Sequence, residues 1–190
     1  MKNAVVALSL AAVLASPALG QTDEALVRSA LEAAPAERRD GATVLSADGQ
    51  RTLQRGTNDL ICLAPDASAE SFSAACYHTS MDPYMARGRE LKREGVADPG
   101  ERNRLRWEEA DAGTLAMPET PATLYVLYGP KEVWNPATGA VDGADIRWVV
   151  YTPWATAEST GLSEMPVPGG PWLMFPGTAG AHIMIMPPAE

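Results

Sequence analysis

The stretch Gly56–His78, GTNDLICLAPDASAESFSAACYH, decides how this chain folds. It holds the only two cysteines of the sequence, Cys62 and Cys76, and it ends on one of only two histidines. Short extended segments flank the loop sequence Pro65-Asp66-Ala67-Ser68. We therefore predict two strands joined by a loop that a disulfide closes, at a place where a ligand or partner can meet the fold.

The first twenty residues have the pattern of a secretory signal peptide. Lys2 supplies a positive charge, Ala4–Ala15 is an apolar run, and Ala18-Leu19-Gly20 places small residues before the cleavage point. The run is shorter than the roughly twenty apolar residues that a membrane-spanning helix needs. We expect residues 1–20 to be removed, residues 21–190 to form a single domain, and the mature protein to be periplasmic or secreted without membrane insertion.

Export determines how the cysteines are interpreted. Two cysteines in an oxidising compartment most simply form one disulfide, here between Cys62 and Cys76. Closing a loop of this length contributes on the order of 3 kcal/mol by restricting the unfolded chain. The alternative is a free thiol that acts as a nucleophile or a metal ligand.

The charge balance excludes one class of partner. The chain has 15 basic and 24 acidic residues and a formal net charge of −9. A protein that follows the phosphates of a nucleic acid needs a basic surface, so nucleic acid is excluded as a partner. The same charge disfavours docking on anionic lipid.

Helix and strand signals alternate in a way that predicts the fold class. A first helix begins at Thr22 or Asp23 and ends near Ala34, and a helical hairpin follows Asp82 and Asp98, each of which precedes a proline. The predicted strands are residues 42–46, 51–55, 60–63, 71–78, 123–128, 146–151, 172–175 and 183–186. This order predicts an α+β domain on a mostly antiparallel sheet, with an N-terminal helix, a central helical hairpin and one disulfide.

The predicted helical hairpin is rich in arginine. Its arginines are Arg87, Arg89, Arg93, Arg102, Arg104 and Arg106, and its interleaved acidic residues are Glu90, Glu94, Asp98 and Glu101. This mixture is typical of a solvated helix surface with many ion pairs. An anion-binding site is the alternative interpretation.

Two segments and the C-terminal part of the sequence resemble a known group of proteins. GTNDLICLAPD and ACYHTSMDPYMARGREL, together with PGTAGAHIMI, resemble a family of small exported bacterial proteins. The resemblance covers about half of the mature chain and implies a shared fold and compartment. It implies no activity and no catalytic residues.

The sequence contains no motif of serine hydrolases, P-loop nucleotide-binding proteins or zinc proteases. The first histidine, His78, can act as a general base if a carboxylate such as Asp82 or Glu109 fixes its tautomer. The alternative is a histidine that bonds to nearby backbone and packs beside the disulfide. An acid–base or metal-dependent enzyme using His78, His182 and Glu109 therefore stays open, with a divalent metal if the two histidines meet near Asp82, Glu108 or Glu109.

The second histidine begins a strand with a methionine stripe. Residues two apart on a strand point to the same face, so His182, Met184 and Met186 align. Imidazole and thioether ligands suit Cu(I), which makes a periplasmic copper site one hypothesis. The alternative is ordinary core packing, because methionine fills irregular cores.

Tryptophans are concentrated in the second half of the chain, beside segments rich in proline and glycine. Trp148, Trp154 and Trp172 can line a groove for a sugar or an apolar ligand, or they can form the main core. With no recognisable catalytic set, the sequence favours an exported non-catalytic module that binds a small molecule or an envelope protein. It indicates no particular cofactor and no oligomeric state.

Overall fold

The computed structural model describes residues 22–187, so the predicted signal peptide lies outside the described residues. The helices are α1 (Asp23–Leu31), α2 (Asp82–Arg93), α3 (Pro99–Asp111) and α4 (Ala157–Thr160). The strands are β1 (Thr43–Leu45), β2 (Thr52–Gln54), β3 (Leu60–Leu63), β4 (Ser71–His78), β5 (Ala122–Pro130), β6 (Asp145–Tyr151), β7 (Trp172–Met174) and β8 (His182–Ile185). Short 3₁₀ helices cover Ala36–Arg38, Thr79–Met81 and Lys131–Val133.

The eight strands found within residues 22–187 form one sheet in the order β2-β1-β3-β4-β5-β6-β8-β7. Every pairing is antiparallel except that of β1 with β3, which is parallel. The fold is therefore α+β on a mostly antiparallel sheet, as the sequence predicts. Cys62 and Cys76 face each other in the β3–β4 register and are bonded as a disulfide, which confirms that prediction.

The helix starts follow the sequence signals in part. The Thr22 hydroxyl caps α1 by accepting from the backbone N–H of Ala25, and the Asp98 carboxylate caps α3 by accepting from Glu101. The prediction that Asp82 caps the second helix is wrong. A 3₁₀ turn precedes α2, so Asp82 is already helical, and its carboxylate accepts from the Tyr77 hydroxyl instead.

The two faces of the sheet carry separate cores. On one face, α1 packs over the disulfide, and Ala30, Cys62, Cys76 and Phe72 are fully or almost fully buried there. On the other face, the α2–α3 hairpin covers a second core with large aromatic residues from strands and helices. Its buried members are Tyr77, Met81, Tyr84, Ala122, Val149, Tyr151 and Met184.

The helices of the fold are short or rich in polar residues. None of those within residues 22–187 combines the length and the hydropathy of a bilayer-spanning helix.

Candidate functional site

The main candidate site is a cleft where the disulfide loop meets the first hairpin and α2. Strands β1 and β3 are parallel, so their carboxyl ends reach the same edge of the sheet. The turn Ser46–Asp48 leaves β1 at that edge, and the segment Ala64–Ala67 of the disulfide loop leaves β3 beside it. The backbone N–H of Ala64 donates to Leu45 O at 2.9 Å, and this bond holds the segments that follow β1 and β3 side by side.

The cleft has a volume of about 470 Å³ and walls of different character. This volume lies within the range of roughly 300–1,000 Å³ that is usual for small-molecule sites. The apolar wall consists of Leu26, Ala47, Ala64, Pro65 and Ala67. The charged side chains that line it are Asp48, Arg51, Asp66, Arg89, Lys92 and Arg93. We call this feature the basic cleft, because four of these six charged residues are cationic.

Three of the cations come from one face of α2. Arg89, Lys92 and Arg93 stand at positions i, i+3 and i+4, which are neighbours on a helix surface. Arg93 Nη1 donates to the backbone oxygen of Asp48 at 3.0 Å, and Lys92 Nζ lies 3.7 Å from a carboxylate oxygen of Asp66. Arg93 thus attaches the helix to the β1–β2 turn, whereas Lys92 only approaches the disulfide loop.

Arg89 is held more firmly than the other two. Its Nη1 donates to the Tyr77 hydroxyl at 3.1 Å, and its Nη2 lies 3.4 Å from Asp82 Oδ1. A Cβ at Gly49 would lie 2.5 Å from Arg89 Nε, so the guanidinium packs directly against the β1–β2 turn. Gly49 has φ +73°, a conformation that suits glycine, and because it has no Cβ the turn can approach the Arg89 guanidinium this closely.

The two carboxylates of the cleft are committed to their own turns. Asp48 Oδ1 accepts from the Ser46 hydroxyl at 2.5 Å and from Gln50 N at 3.0 Å. Asp66 Oδ1 accepts from the hydroxyl and the backbone N–H of Ser68. These hydrogen bonds, first of all those from Ser46 and Ser68, lower the pKa of both carboxyl groups, so both are ionised at neutral pH.

The other arginines of the hairpin form structural contacts. Arg87 is paired with Glu90, Glu94 and Glu109, and Arg104 with Glu101 and Glu108. Arg102 donates to the backbone oxygens of Val96 and Ala97, and the Arg106 guanidinium lies 4.0 Å above the Tyr84 ring. The salt-bridged interpretation thus describes Arg87 and Arg104, Arg102 and Arg106 are held by neutral partners, and Arg89 and Arg93 line a cavity.

His78 lies at the end of β4 in a short chain of polar contacts. Its Nδ1 lies 2.8 Å from the Ser80 hydroxyl and accepts from the Ser80 backbone N–H at 3.2 Å. An Nδ1 that accepts carries no proton, so the proton of the neutral ring is on Nε2. Nε2 lies 3.2 Å from Asp59 Oδ2, and Asp59 also pairs with Arg38.

The carboxylates expected beside His78 are occupied elsewhere. Asp82 contacts Tyr77 and Arg89, and Glu109 contacts Arg87. The residue that takes the place beside His78 is Asp59, which precedes β3. The β3–β4 register brings it there, because Leu60 faces His78 across the pair.

His182 is 7% exposed and lies in an aromatic cluster. Its ring centroid is 4.9 Å from that of Tyr151 and 5.7 Å from that of Phe175, and its Nδ1 donates to Gly180 O at 2.7 Å. Burial lowers the pKa of His182, the Gly180 carbonyl opposes this shift, and Arg147 adds to it. The imidazole is therefore neutral at neutral pH.

The fold does not bring the two histidines together. His78 is on β4 and His182 on β8, three positions apart in the strand order. This corresponds to about 14 Å, since neighbouring strands are about 4.8 Å apart. The registers also place His78 on the α1 face and His182, opposite Tyr151, on the hairpin face. Within residues 22–187, no three His, Cys, Asp or Glu side chains converge as a metal site.

The methionine stripe is divided between core and surface. His182 and Met184 are each 7% exposed, and Met184 belongs to the core under the helical hairpin. Met186 follows the end of β8 and is 38% exposed. The first two side chains therefore have packing roles, which is the alternative to the copper hypothesis.

The three tryptophans do not share one groove. Trp148 is 43% exposed and pairs with Ile185, whereas Trp172 pairs with Met184 and so faces the opposite side of the sheet. Trp154 is 46% exposed, has φ +60°, and donates from its indole to Asp111 at 2.8 Å. A cavity of about 290 Å³ beside Trp154 is bounded by Pro118, Pro121 and Pro153.

Comparison with known proteins gives no match to a family model, a curated protein or a solved structure. The resemblance to exported bacterial proteins therefore stays a prediction. The function has to be inferred from the geometry of this chain alone.

Proposed function

We propose that this protein is an exported, non-catalytic binding module that holds a small molecule in the basic cleft. The observation that carries the proposal is the cleft itself, an open space of about 470 Å³ at the joint carboxyl edge of β1 and β3. It combines an apolar wall with a few oriented polar groups, and this combination is typical of small-molecule sites.

The disulfide supports the proposal because one wall of the cleft belongs to the loop that it closes. Ala64–Ala67 lie between Cys62 and Cys76, and Lys131 Nζ donates to the backbone oxygens of Ala67 and Ala69. A loop held at both ends loses less conformational entropy when it meets a ligand. The predicted export agrees with a loop closed by a disulfide, since disulfides persist in oxidising compartments.

The proposal is tested by native mass spectrometry of the full chain expressed in and purified from an exported compartment. A retained small molecule is the expected result, together with the mass of a disulfide. Ala67→Trp should release it, because Ala67 is exposed at the edge of the cleft and a tryptophan there fills the space. Ala97→Trp, on an exposed site outside the cleft lining, is the matched control.

Two results would contradict the proposal. One is retention of the molecule by Ala67→Trp at the wild-type level, which would place the site elsewhere. The other is a second protein that copurifies in place of a small molecule, which would favour the envelope-partner alternative.

A second candidate function rests on the contacts of His78. The order Ser80 hydroxyl, His78 ring and Asp59 carboxylate provides a hydroxyl nucleophile, a base and a group that fixes the tautomer. In this function His78 Nδ1 takes the Ser80 proton as Oγ attacks an acyl or phosphonyl centre. His78 Nδ1 also caps the 3₁₀ turn by accepting from the Ser80 backbone N–H, so this ring has a structural role as well.

A fluorophosphonate probe separates this candidate from the first. If Ser80 is a nucleophile, the probe labels it with loss of fluoride, and Ser80→Ala abolishes labelling. His78→Gln should slow labelling strongly, and Ser73→Ala, an exposed serine on the same β4 strand, should not change it. An unlabelled wild-type protein would remove the enzymatic candidate and leave the binding function untouched.

A further inference from the structure

Resting on the proposed function, the geometry of the basic cleft assigns a ligand class: a small organic molecule with one anionic oxygen group and an apolar body. The cleft is lined by four cationic and two anionic side chains in a chain whose net charge is −9. The cleft therefore carries a net positive charge, whereas the protein as a whole is acidic.

Two of the four cations in the cleft, Arg51 and Arg89, are already neutralised by carboxylates. Arg51 pairs with Asp23 through both carboxylate oxygens, at 2.7 and 2.6 Å, and Arg89 lies 3.4 Å from Asp82. Both of these carboxylates come from outside the cleft lining. Arg51 and Arg89 therefore contribute mainly shape and hydrogen-bond direction.

Lys92 and Arg93 are the two remaining cations of the cleft. Arg93 donates to a neutral backbone oxygen, and no carboxylate within residues 22–187 lies at ion-pair distance from it. Lys92 reaches Asp66 only at 3.7 Å, beyond a direct hydrogen bond. Most of their N–H donors are therefore free for a ligand, and they come from adjacent positions at the end of α2.

The carboxylates of the cleft take up little of this donor capacity, because Asp66 meets Lys92 only at 3.7 Å and through the oxygen that does not bond to Ser68. Asp48 and Asp66 accept from Ser46, Gln50 and Ser68 within their own turns. Such turns fix the carboxylates where they stabilise the loops. The two carboxylates of the cleft are thus fixed by their own turns, and Lys92 and Arg93 are available to bind an anionic ligand.

The opposite wall determines the rest of the ligand. Leu26, Ala47, Pro65 and Ala67 present aliphatic surface and no ionisable group. An inorganic anion would leave this wall without a partner, whereas a ligand with an apolar body covers it and loses its hydration there. Charge at one end and apolar surface at the other together define the ligand class.

Shape-matched probes test the inference on the full chain with its disulfide intact. Phenylacetate and phenyl phosphate are anions, phenylacetamide is neutral and 2-phenylethylamine is a cation. Binding is followed by amide chemical shifts in two-dimensional NMR, which also locate the site. We expect both anions to bind and to shift the amide signals of cleft residues. Phenylacetamide should bind at least tenfold less tightly, and 2-phenylethylamine should not bind. The relative affinity of the two anions distinguishes a carboxylate from a phosphate group.

Charge-removing variants complete the test. Arg93→Gln and Lys92→Gln should each weaken phenylacetate binding by roughly tenfold, because each removes charged hydrogen-bond donors. Both residues are exposed, so the variants should fold, and circular dichroism checks this. Arg104→Gln on α3, whose arginine is paired with Glu101 and Glu108 outside the cleft, is the matched control. Affinity should also fall as salt rises.

The outcomes separate the two levels of the proposal. If phenylacetamide or the amine binds in the cleft as tightly as the anions, the ligand class is wrong and small-molecule binding stands. If phenylacetate binds in the cleft but Arg93→Gln and Lys92→Gln leave it unchanged, the assigned cations are wrong. If no probe shifts the cleft and native mass spectrometry finds no retained molecule, the binding function itself is overturned.

Discussion

The indole N–H of Trp134 donates to the Ser29 hydroxyl at 2.9 Å and ties the β5–β6 connection to α1. Ser29 is fully buried, and its Oγ also lies 2.8 Å from Ala25 O and 3.2 Å from Gly139 O. One small hydroxyl therefore serves the helix, the turn at Gly139 and the indole. This bond keeps α1 in place over the disulfide and next to the basic cleft, where Leu26 of the same helix forms part of the wall.

Ser29→Ala should destabilise the protein by about 1–3 kcal/mol, because it leaves the buried indole N–H without an acceptor. Urea unfolding followed by circular dichroism measures the loss. Ser71→Ala, at an exposed position on β4, is the control and should change stability by less than about 0.5 kcal/mol. Equal stability of Ser29→Ala and the wild type would mean that water satisfies the indole in place of the hydroxyl.

The fold class could be predicted because its signals are local. Short extended segments bounded by turn residues indicated the antiparallel sheet, and Thr22 and Asp98 indicated helix starts through the geometry of a single turn. The disulfide followed from the predicted export and from two cysteines on neighbouring predicted strands. Each of these inferences needed only nearby residues.

The functional geometry could not be predicted because it depends on the order of strands. The parallel pairing of β1 with β3 brings the β1–β2 turn beside the disulfide loop, and no local pattern indicates that pairing. The strand order also separates His78 from His182 and places them on opposite faces. The one available signal for the cleft was the i, i+3, i+4 spacing of Arg89, Lys92 and Arg93.

Gly180→Ala should destabilise the aromatic cluster by roughly 1–3 kcal/mol through overpacking. A Cβ at this position would lie no more than 3.0 Å from the indole of Trp107 and the hydroxyl of Tyr84, which hydrogen-bond to each other at 3.1 Å. Thermal unfolding measures the effect. Gly100→Ala in the first turn of α3 is the control, since its Cβ would lie 3.1 Å from the capping Asp98 Oδ1, which has to shift by only a few tenths of an ångström. A wild-type melting temperature for Gly180→Ala would show that the indole moves at little cost.

Removal of the disulfide should lower stability by about 3 kcal/mol, as expected for a closed loop of this length. The bond joins residues 14 positions apart, and both cysteines are completely buried under α1. For a domain of this size the loss corresponds to a melting temperature roughly 6–12 °C lower. The measurement is a thermal melt of Cys62→Ala/Cys76→Ala against the oxidised wild type.

The same double variant also reports on the cleft. Because Ala64–Ala67 are held by the disulfide, its removal should weaken phenylacetate binding even below the melting transition. Undiminished binding by the folded double variant would show that the hydrogen bonds from Lys131 hold the loop without the covalent link.

Acidification should destabilise the protein through His182. Burial lowers the pKa of this histidine in the folded state, whereas the unfolded chain has the ordinary value of about 6.5. The unfolded state therefore binds the proton more readily, and stability falls as the pH drops below about 6.5. The loss stops growing once the pH is below the lowered folded-state pKa. Urea midpoints between pH 7.5 and pH 5.5 measure it.

A pair of variants assigns this pH dependence to one ring. His182→Asn keeps a donor toward Gly180 O but cannot titrate, so its stability should vary less with pH even though the lost packing on Tyr151 lowers it at every pH. His78→Asn, which removes the other histidine, should keep the His182 contribution. If the slope vanishes in His78→Asn and persists in His182→Asn, the surface chain of Asp59, His78 and Ser80 is the pH-sensitive element. The neutral buried imidazole would then be only a packing residue.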